Sequence, residues 1–209
     1  MYTPAYHKED RIPVQHEAVR NIGFGALVTT GASGLEASHL PMLMVPEPAP
    51  LGSLIGHVAR ANPQWKNAPA GGEVLAMFTG PNAYVTPSWY ASKAETGKVV
   101  PTWNYIAVHA YGEIAFFDDR ARLREHVSRL TAAHEAGRPG PWAVTDAPAV
   151  YIETLLAAIV GFTLTITRLE GKWKMSQNRT AQDQAGVRAG LLRDGGDART
   201  AVAEIMQGN

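Results

Sequence analysis

Four short stretches of this chain set cations, amides and hydroxyls beside indole or phenol rings: GHVARANPQW, PSWY, VVPTWNY and GKWKMSQNR. One tryptophan or one arginine in a strand is ordinarily a core residue or a solvated strand end. Recurrence of the mixture in four places points instead to a planar, anionic ligand. Its ring needs flat apolar contact, and its charged end needs Arg, Lys and hydroxyl donors. In VVPTWNY the period of two sends Thr102 and Asn104 to one face of a strand and Trp103 and Tyr105 to the other. All four therefore cannot touch one ligand through one strand face. One pair is expected at a ligand and the other in the core or at a contact between subunits.

The elements that position these stretches read as a run of strands with helices at the ends. Asp10 to Ile22 carries apolar residues at helical spacing behind Pro13. Phe24 to Thr30 and Leu35 to Val45 flank GASG as a hairpin, with Pro41 marking an edge or bulge. Leu51 to Ala59, Glu73 to Phe78 and Ala83 to Tyr90 read as strands, the last two separated by a turn at Gly80 to Asn82. Ala91 to Lys98 reads as an exposed, mobile loop, and a long strand runs from the VVPTWNY stretch to Phe117. Asp118 to His134 is a helix behind an Asp start. Asp146 to Val160 is a second helix, ended by Gly161. From Phe162, the alternation of Phe162, Leu164 and Ile166 with threonines predicts a half-wet strand. Two closing helices follow, the first opened by Thr180 with Asp183 three residues on. This succession favours an antiparallel barrel over βαβ units, and neither GxGxxG nor GxxxxGK occurs.

Composition narrows the chemistry further. The 209 residues suit one domain, and 19 Lys+Arg balance 19 Asp+Glu, so no global charge steers the chain to polyanions. There is no cysteine, which removes disulfides, thiolate nucleophiles and Cys-based metal sites together. HExxH is absent, no metal site is expected, and no side chain stands out as a necessary acid or base. The polar N-terminus does not read as a leader and the longest apolar run is too short to span a bilayer, so a soluble, cytoplasmic protein without membrane contact is expected.

In wording and order, GHVARANPQW, FTGPNAYVTPSWY, ETGKVVPTWNYIAVHAYG and the run from LTAAHEAGRPGPW to KMSQNR resemble the PaiB family of FMN-binding split-barrel proteins, known as negative transcriptional regulators. The resemblance runs from MYTPAYHKED to about Gly190. It implies a six-stranded antiparallel split β-barrel of the α+β, mainly β class with peripheral and C-terminal helices, related to flavin reductases and pyridoxine phosphate oxidase. It also implies an obligate homodimer with FMN in the cleft between subunits. On this reading residues 1–178 form the barrel domain with inserted helices at 118–160, and 179–209 are its helical extension.

Given that resemblance, Arg60 is the foremost phosphate candidate, with Asn62 at the start of the following turn, where free backbone N–H groups favour an anion. Lys174 and Ser176 share a face and could complete the phosphate site. Gln177 and Asn178 are placed for polar ring edges, as in related split barrels. Thr102 and Asn104 are the pair expected at the cofactor, and Ser88 and Trp89 carry over from PSWY. Regulation is the preferred function. DNA could be the partner through Arg188, Arg193 and Arg199, in a segment from Arg168 to Arg199 with seven basic and four acidic residues. The alternatives are a flavin-dependent reductase or oxidase, with Ala91 to Lys98 as a lid, and a haem protein with His7, His39, His57 or His109 as ligand.

Overall fold

The computed structural model describes residues 1–32, 34–68 and 71–208. Seven strands form one sheet in the order β1-β7-β4-β3-β2-β5-β6, with β6 also paired to β7. They are β1 (Lys8–Glu9), β2 (Phe24–Gly31), β3 (Gly34–Val45), β4 (Ser53–Ala59), β5 (Glu73–Val85), β6 (Thr102–Phe117) and β7 (Ile159–Lys174). The seventh, β1, is a two-residue strand paired with Lys172 and Gly171 at the end of β7. Its length is why periodicity does not register it. The helices are α1 (Ile12–Ile22), α2 (Gln64–Asn67), α3 (Ser92–Thr96), α4 (Arg120–Glu135), α5 (Ala149–Ala157), α6 (Ala181–Asp194) and α7 (Asp197–Ile205).

The chain divides into two compact units, Met1–Ala18 with Thr79–His109 and Glu170–Asn209, and Val19–Phe78 with Ala110–Leu169. In the second unit β2 and β3 form the expected hairpin, in register from Phe24↔Pro41 to Gly31↔Gly34. Ser33, in its GASG tip, lies outside the described residues. Leu27, Leu54, Phe78, Phe162 and Leu164 are fully buried, which follows from the alternation read in these strands. Against α4, capped by Asp119 accepting the Arg122 N–H, packs an apolar group of Leu123, Val144, Ile152 and Leu156. In the first unit the closing helices bury Val187, Leu191, Val202 and Ala203.

Three expectations are corrected. The predicted turn at Gly80 to Asn82 is absent, and β5 runs through it. Its register with β2 covers only Leu75 to Met77, so Pro81 sits where a missing N–H breaks no β2 bond. The helix before β7 ends at Ala157, and Gly161 is a strand residue rather than a helix stop. A Cβ at Gly161 would lie 2.4 Å from the Phe117 ring, so close approach, not chain termination, explains this glycine. The third concerns Ala91 to Lys98, which contains α3 and is tethered, as described next.

Candidate functional site: a cationic cluster at the end of β7

Strand alternation and one backbone irregularity build the site in the first unit. At the start of β6, Trp103 is 52% exposed and Asn104 is fully buried, so the two faces read from VVPTWNY are distinct. Trp103 lies edge-on to the exposed Tyr84, ring centroids 6.0 Å apart. On the opposite side Asn104 meets Ser176: its amide nitrogen and its carbonyl oxygen each lie 3.1 Å from the hydroxyl. Ser176 reaches it with φ of 63°, a left-handed conformation unfavourable for a residue with a Cβ. Lys174, half-buried at the end of β7, donates from Nζ to the Thr102 hydroxyl.

Gln177 fixes the chain just beyond. Its carbonyl accepts the Met175 N–H at 2.8 Å, its amide donates to the Trp173 carbonyl at 2.6 Å, and its Oε1 is 2.8 Å from His7 Nδ1. Burial holds His7 below the ordinary histidine range, opposed by the Gln177 bond and assisted by the charges of Lys174 and Lys172. Asn178 is exposed.

Two further cations complete the cluster, and site prediction from motifs missed both. Lys172 is buried, donates to the Tyr2 carbonyl at 3.0 Å, and lies 5.4 Å from the Tyr105 ring. Arg179 stands over the Tyr90 ring at 4.7 Å. Burial lowers the Lys174 pKa, and the charges of Lys172 and Arg179 lower it further. Among the described residues no carboxylate forms an ion pair with any of the three. The two nearby acids are already engaged: Glu170 binds the Met1 ammonium and Asp183 binds Ser92. The spacing of Lys172 and Lys174, two residues apart on one strand face, was the available signal.

The PSWY stretch is held in the same unit. Trp89 lies against α6 where a Cβ on Gly190 would be 2.3 Å from the indole and one on Gly186 would be 2.1 Å from the Trp89 carbonyl. Asp183 accepts the Ser92 N–H at 3.0 Å and the Ser92 hydroxyl at 2.8 Å, and these bonds hold its carboxyl below the usual range. The segment expected to be a free loop is therefore a short helix fastened to α6. Ser88 is exposed and accepts from Lys93 Nζ at 3.3 Å.

Arg60 and Asn62 fall in the other unit and make protein contacts there. Arg60 donates to the carbonyls of Ala157 and Ile159, at 2.8 and 3.0 Å, and pairs with Asp118 at 3.6 Å. Asn62 accepts the Gln64 N–H at 3.0 Å and donates to the Ser38 hydroxyl at 2.8 Å, which shapes the entry to α2. His57 sits 3.0 Å from His126 of α4, a hydrogen-bonded core pair. His39 stacks on Phe24. Among the described residues no three His, Asp or Glu side chains group as a metal site.

Residues 1–168 match the family described as "Putative FMN-binding domain". The Bacillus subtilis (strain 168) protein named protease synthase and sporulation protein PAI 2 is 32% identical over 207 residues, spanning 99% of this chain and 97% of that protein. The chain belongs to the PaiB family of FMN-binding split-barrel proteins. A second relative, the uncharacterized protein AFUA_5G13800 of Aspergillus fumigatus, is 36% identical over 252 residues, covering 99% of this PaiB-family chain and 97% of its own. Among solved structures, the FAD and heme binding protein from Mycobacterium smegmatis superposes with a TM-score of 0.62 at 13% identity, over 91% of this chain and 81% of that one. At that identity the likeness concerns fold, and it agrees with the flavin-type split barrel expected of a PaiB-family chain. The FMN expected from the resemblance agrees with the family matched. No helix among the described residues is long and apolar enough to cross a membrane.

Proposed function

We propose that this protein is an FMN-binding homodimer of regulatory type in which Lys172, Lys174 and Arg179 neutralise the flavin phosphate at the subunit interface. The observation that carries the reading is a group of three cations that, among the described residues, no carboxylate meets in an ion pair. Lys172 is buried and Lys174 and Arg179 are half-buried; burial lowers the Lys174 pKa and the charges of Lys172 and Arg179 add to it, while among the described residues no carboxylate stands within ion-pair distance of the three and Asp183 feels Arg179 only from farther off. Unpaired charge in a partly desolvated place is costly unless an anion completes it. The Thr102 hydroxyl accepts from Lys174, and Ser176 and Gln177 follow it on the chain just past β7, with Asn104 on Ser176. That donor set fits a phosphate with a polar ring edge beyond it.

When bound, FMN supplies hydride and single-electron chemistry of its own. The residues here bind and orient. Lys174 holds the phosphate charge, Asn104 and Ser176 keep each other aimed, and Gln177 fixes the turn that carries them. Trp103 and Tyr84, exposed side by side, are the flat surface suited to the partner subunit. A regulatory role draws support from a relative named for protease synthesis and sporulation rather than for a reaction. The arginines proposed for DNA are occupied internally: Arg188 bonds the Ala203 carbonyl and Gln207, Arg193 pairs with Asp194, and Arg199 bonds the Gly195 carbonyl.

Quenching of FMN fluorescence by the purified dimer tests the cofactor assignment. Stoichiometric quenching that weakens about tenfold or more in Lys174→Ala is expected, from loss of a charge-assisted contact. Equal affinity in the variant, or a Soret band with haemin in place of flavin binding, overturns it. Salt-steep binding to a specific DNA would support regulation, whereas stimulated NAD(P)H consumption would make the protein a reductase. A monomer by sedimentation would remove the dimer.

A further inference from the structure

A concavity of about 490 Å³ lies wholly within the second unit and is lined by none of the residues proposed to hold flavin. Its floor is β3, where Met42 and Met44 are buried, and its wall is the last turn and a half of α4 with Ala133 and His134. Arg20, near the end of α1, and Arg129 of α4 supply its cations, and among the described residues no acidic one lines it. Arg129 pairs with Glu125 at 3.7 Å, and both side chains are largely exposed, which makes the pair weak.

The floor also carries an open strand edge. The Met42 N–H donates to the Gly23 carbonyl at 2.8 Å, and the register of β2 with β3 ends at Phe24↔Pro41. Backbone groups alternate sides along a strand, so the Met44 N–H points to the side that Met42 uses, two residues past the end of β2. The other edge of β3 is covered, with Met44 opposite Leu54 of β4. A backbone donor that β2 cannot reach therefore faces a cavity with two guanidinium groups and an apolar floor.

We propose that this cavity binds a small amphipathic carboxylate, with its head on Arg20, Arg129 and the Met44 N–H and its tail over Met42 and Ala133. The carboxylate matches the planar guanidinium donors and the single backbone N–H. An alkyl tail suits unbranched methionine side chains, which conform to irregular apolar shapes. A nucleotide fits poorly, because among the described residues no Trp, Tyr or Phe lines the cavity to receive a base.

Titration with sodium octanoate, followed by NMR of methyl-labelled methionines, tests this. Saturable shifts of the Met42 and Met44 methyls are expected, with Met175, in the other unit, unmoved. Arg20→Ala with Arg129→Ala should weaken binding about tenfold or more, and Ala133→Phe should abolish it by filling the space. 1-Octanol should bind about tenfold or more weakly than octanoate, since it lacks the charge. A response that does not saturate, survives both arginine substitutions, or is matched by octanol overturns the proposal. Both arginines are exposed, so the variants should keep the urea midpoint of the unaltered protein, which reports an intact fold. Absence of octanoate binding by the unaltered protein, with FMN quenching intact, overturns this inference alone.

Discussion

Asn104 and Ser176, 72 residues apart in sequence, share both polar atoms of a fully buried amide with one hydroxyl. The Asn104 amide nitrogen also approaches the Met206 sulfur at 3.6 Å, so α7 is drawn into the same contact. Removal of the hydroxyl strands that amide. Ser176→Ala should destabilise the protein by about 1–3 kcal/mol. Ser176→Gly loses the same bond but relieves the left-handed backbone by about 1–2 kcal/mol, so it should be the milder change. Denaturant midpoints of the two variants give the order, and a Gly variant less stable than the Ala variant would contradict it.

The His57–His126 pair makes stability depend on mild acid. Burial holds His57 below its ordinary value, and burial, His57 and Arg129 hold His126 at about 4, against 6.5 for a free histidine. Both rings are therefore neutral in the folded protein and take up protons more readily when unfolded. Their stabilising contribution is complete above about pH 6.5 and is lost as pH falls toward about 4, at up to about 1.4 kcal/mol per pH unit for each ring. Urea midpoints measured between pH 7.5 and 4.5 should fall, and His126→Gln should flatten the slope. An unchanged slope in that variant would place the titration elsewhere.

Asp183 controls the segment around α3. Its two bonds to Ser92 replace the reciprocal capping bond that Thr180 and Asp183 suggested, although Thr180 still accepts the Asp183 N–H at 3.2 Å. Asp183→Asn should speed tryptic cleavage after Lys93 or Lys98 about tenfold, the effect of losing about 1.4 kcal/mol of charge-assisted bonding. Equal cleavage would show that Trp89 packing alone secures the segment.

Gly186 and Gly190 set two opposed effects against each other. Alanine in a helix interior is favoured over glycine by about 1 kcal/mol. Here the added methyl would enter Trp89 atoms at 2.1 and 2.3 Å, and overpacking of that kind costs about 1–3 kcal/mol. At Gly186 the obstacle is backbone, which cannot swing aside, so Gly186→Ala should lower Tm. A raised Tm would show that Trp89 is free to shift.

Arg60→Ala separates two roles at one residue. With its guanidinium on Ala157, Ile159 and Asp118, loss of stability with FMN affinity intact is expected. A tenfold loss of affinity in an equally stable variant would restore Arg60 to the phosphate site.

Much of this was legible because local chemistry and packing agreed. The alternation of Phe162, Leu164 and Ile166 specified a buried strand face, and Asp119 and Thr180 marked helix starts that their side chains do cap. What misled were residues whose reason lies far away in sequence. Gly161 reads as a helix stop until Phe117 is placed on it, and Ala91 to Lys98 reads as a loop until Asp183 is. At the site, the pairing of Thr102 with Lys174 and of Asn104 with Ser176 was not readable, since it depends on the turn that Ser176 makes. The place of Lys172 beside Tyr2 and Tyr105 was not readable either, since an isolated lysine is not expected to be buried.

The seating of Trp89 on α6 also bears on where this protein can be divided. The stretch that defines the family ends at residue 168, yet Lys172, Ser176, Asp183 and Gly190 all lie beyond it. A chain cut there would keep PSWY and VVPTWNY while stripping the Ser92 tether, the bed of the Trp89 indole and the partner of Asn104. On the proposed function such a chain would also lose Lys172, Lys174 and Arg179, so the residues after 168 are expected to be needed for flavin binding as well as for the seat of Trp89.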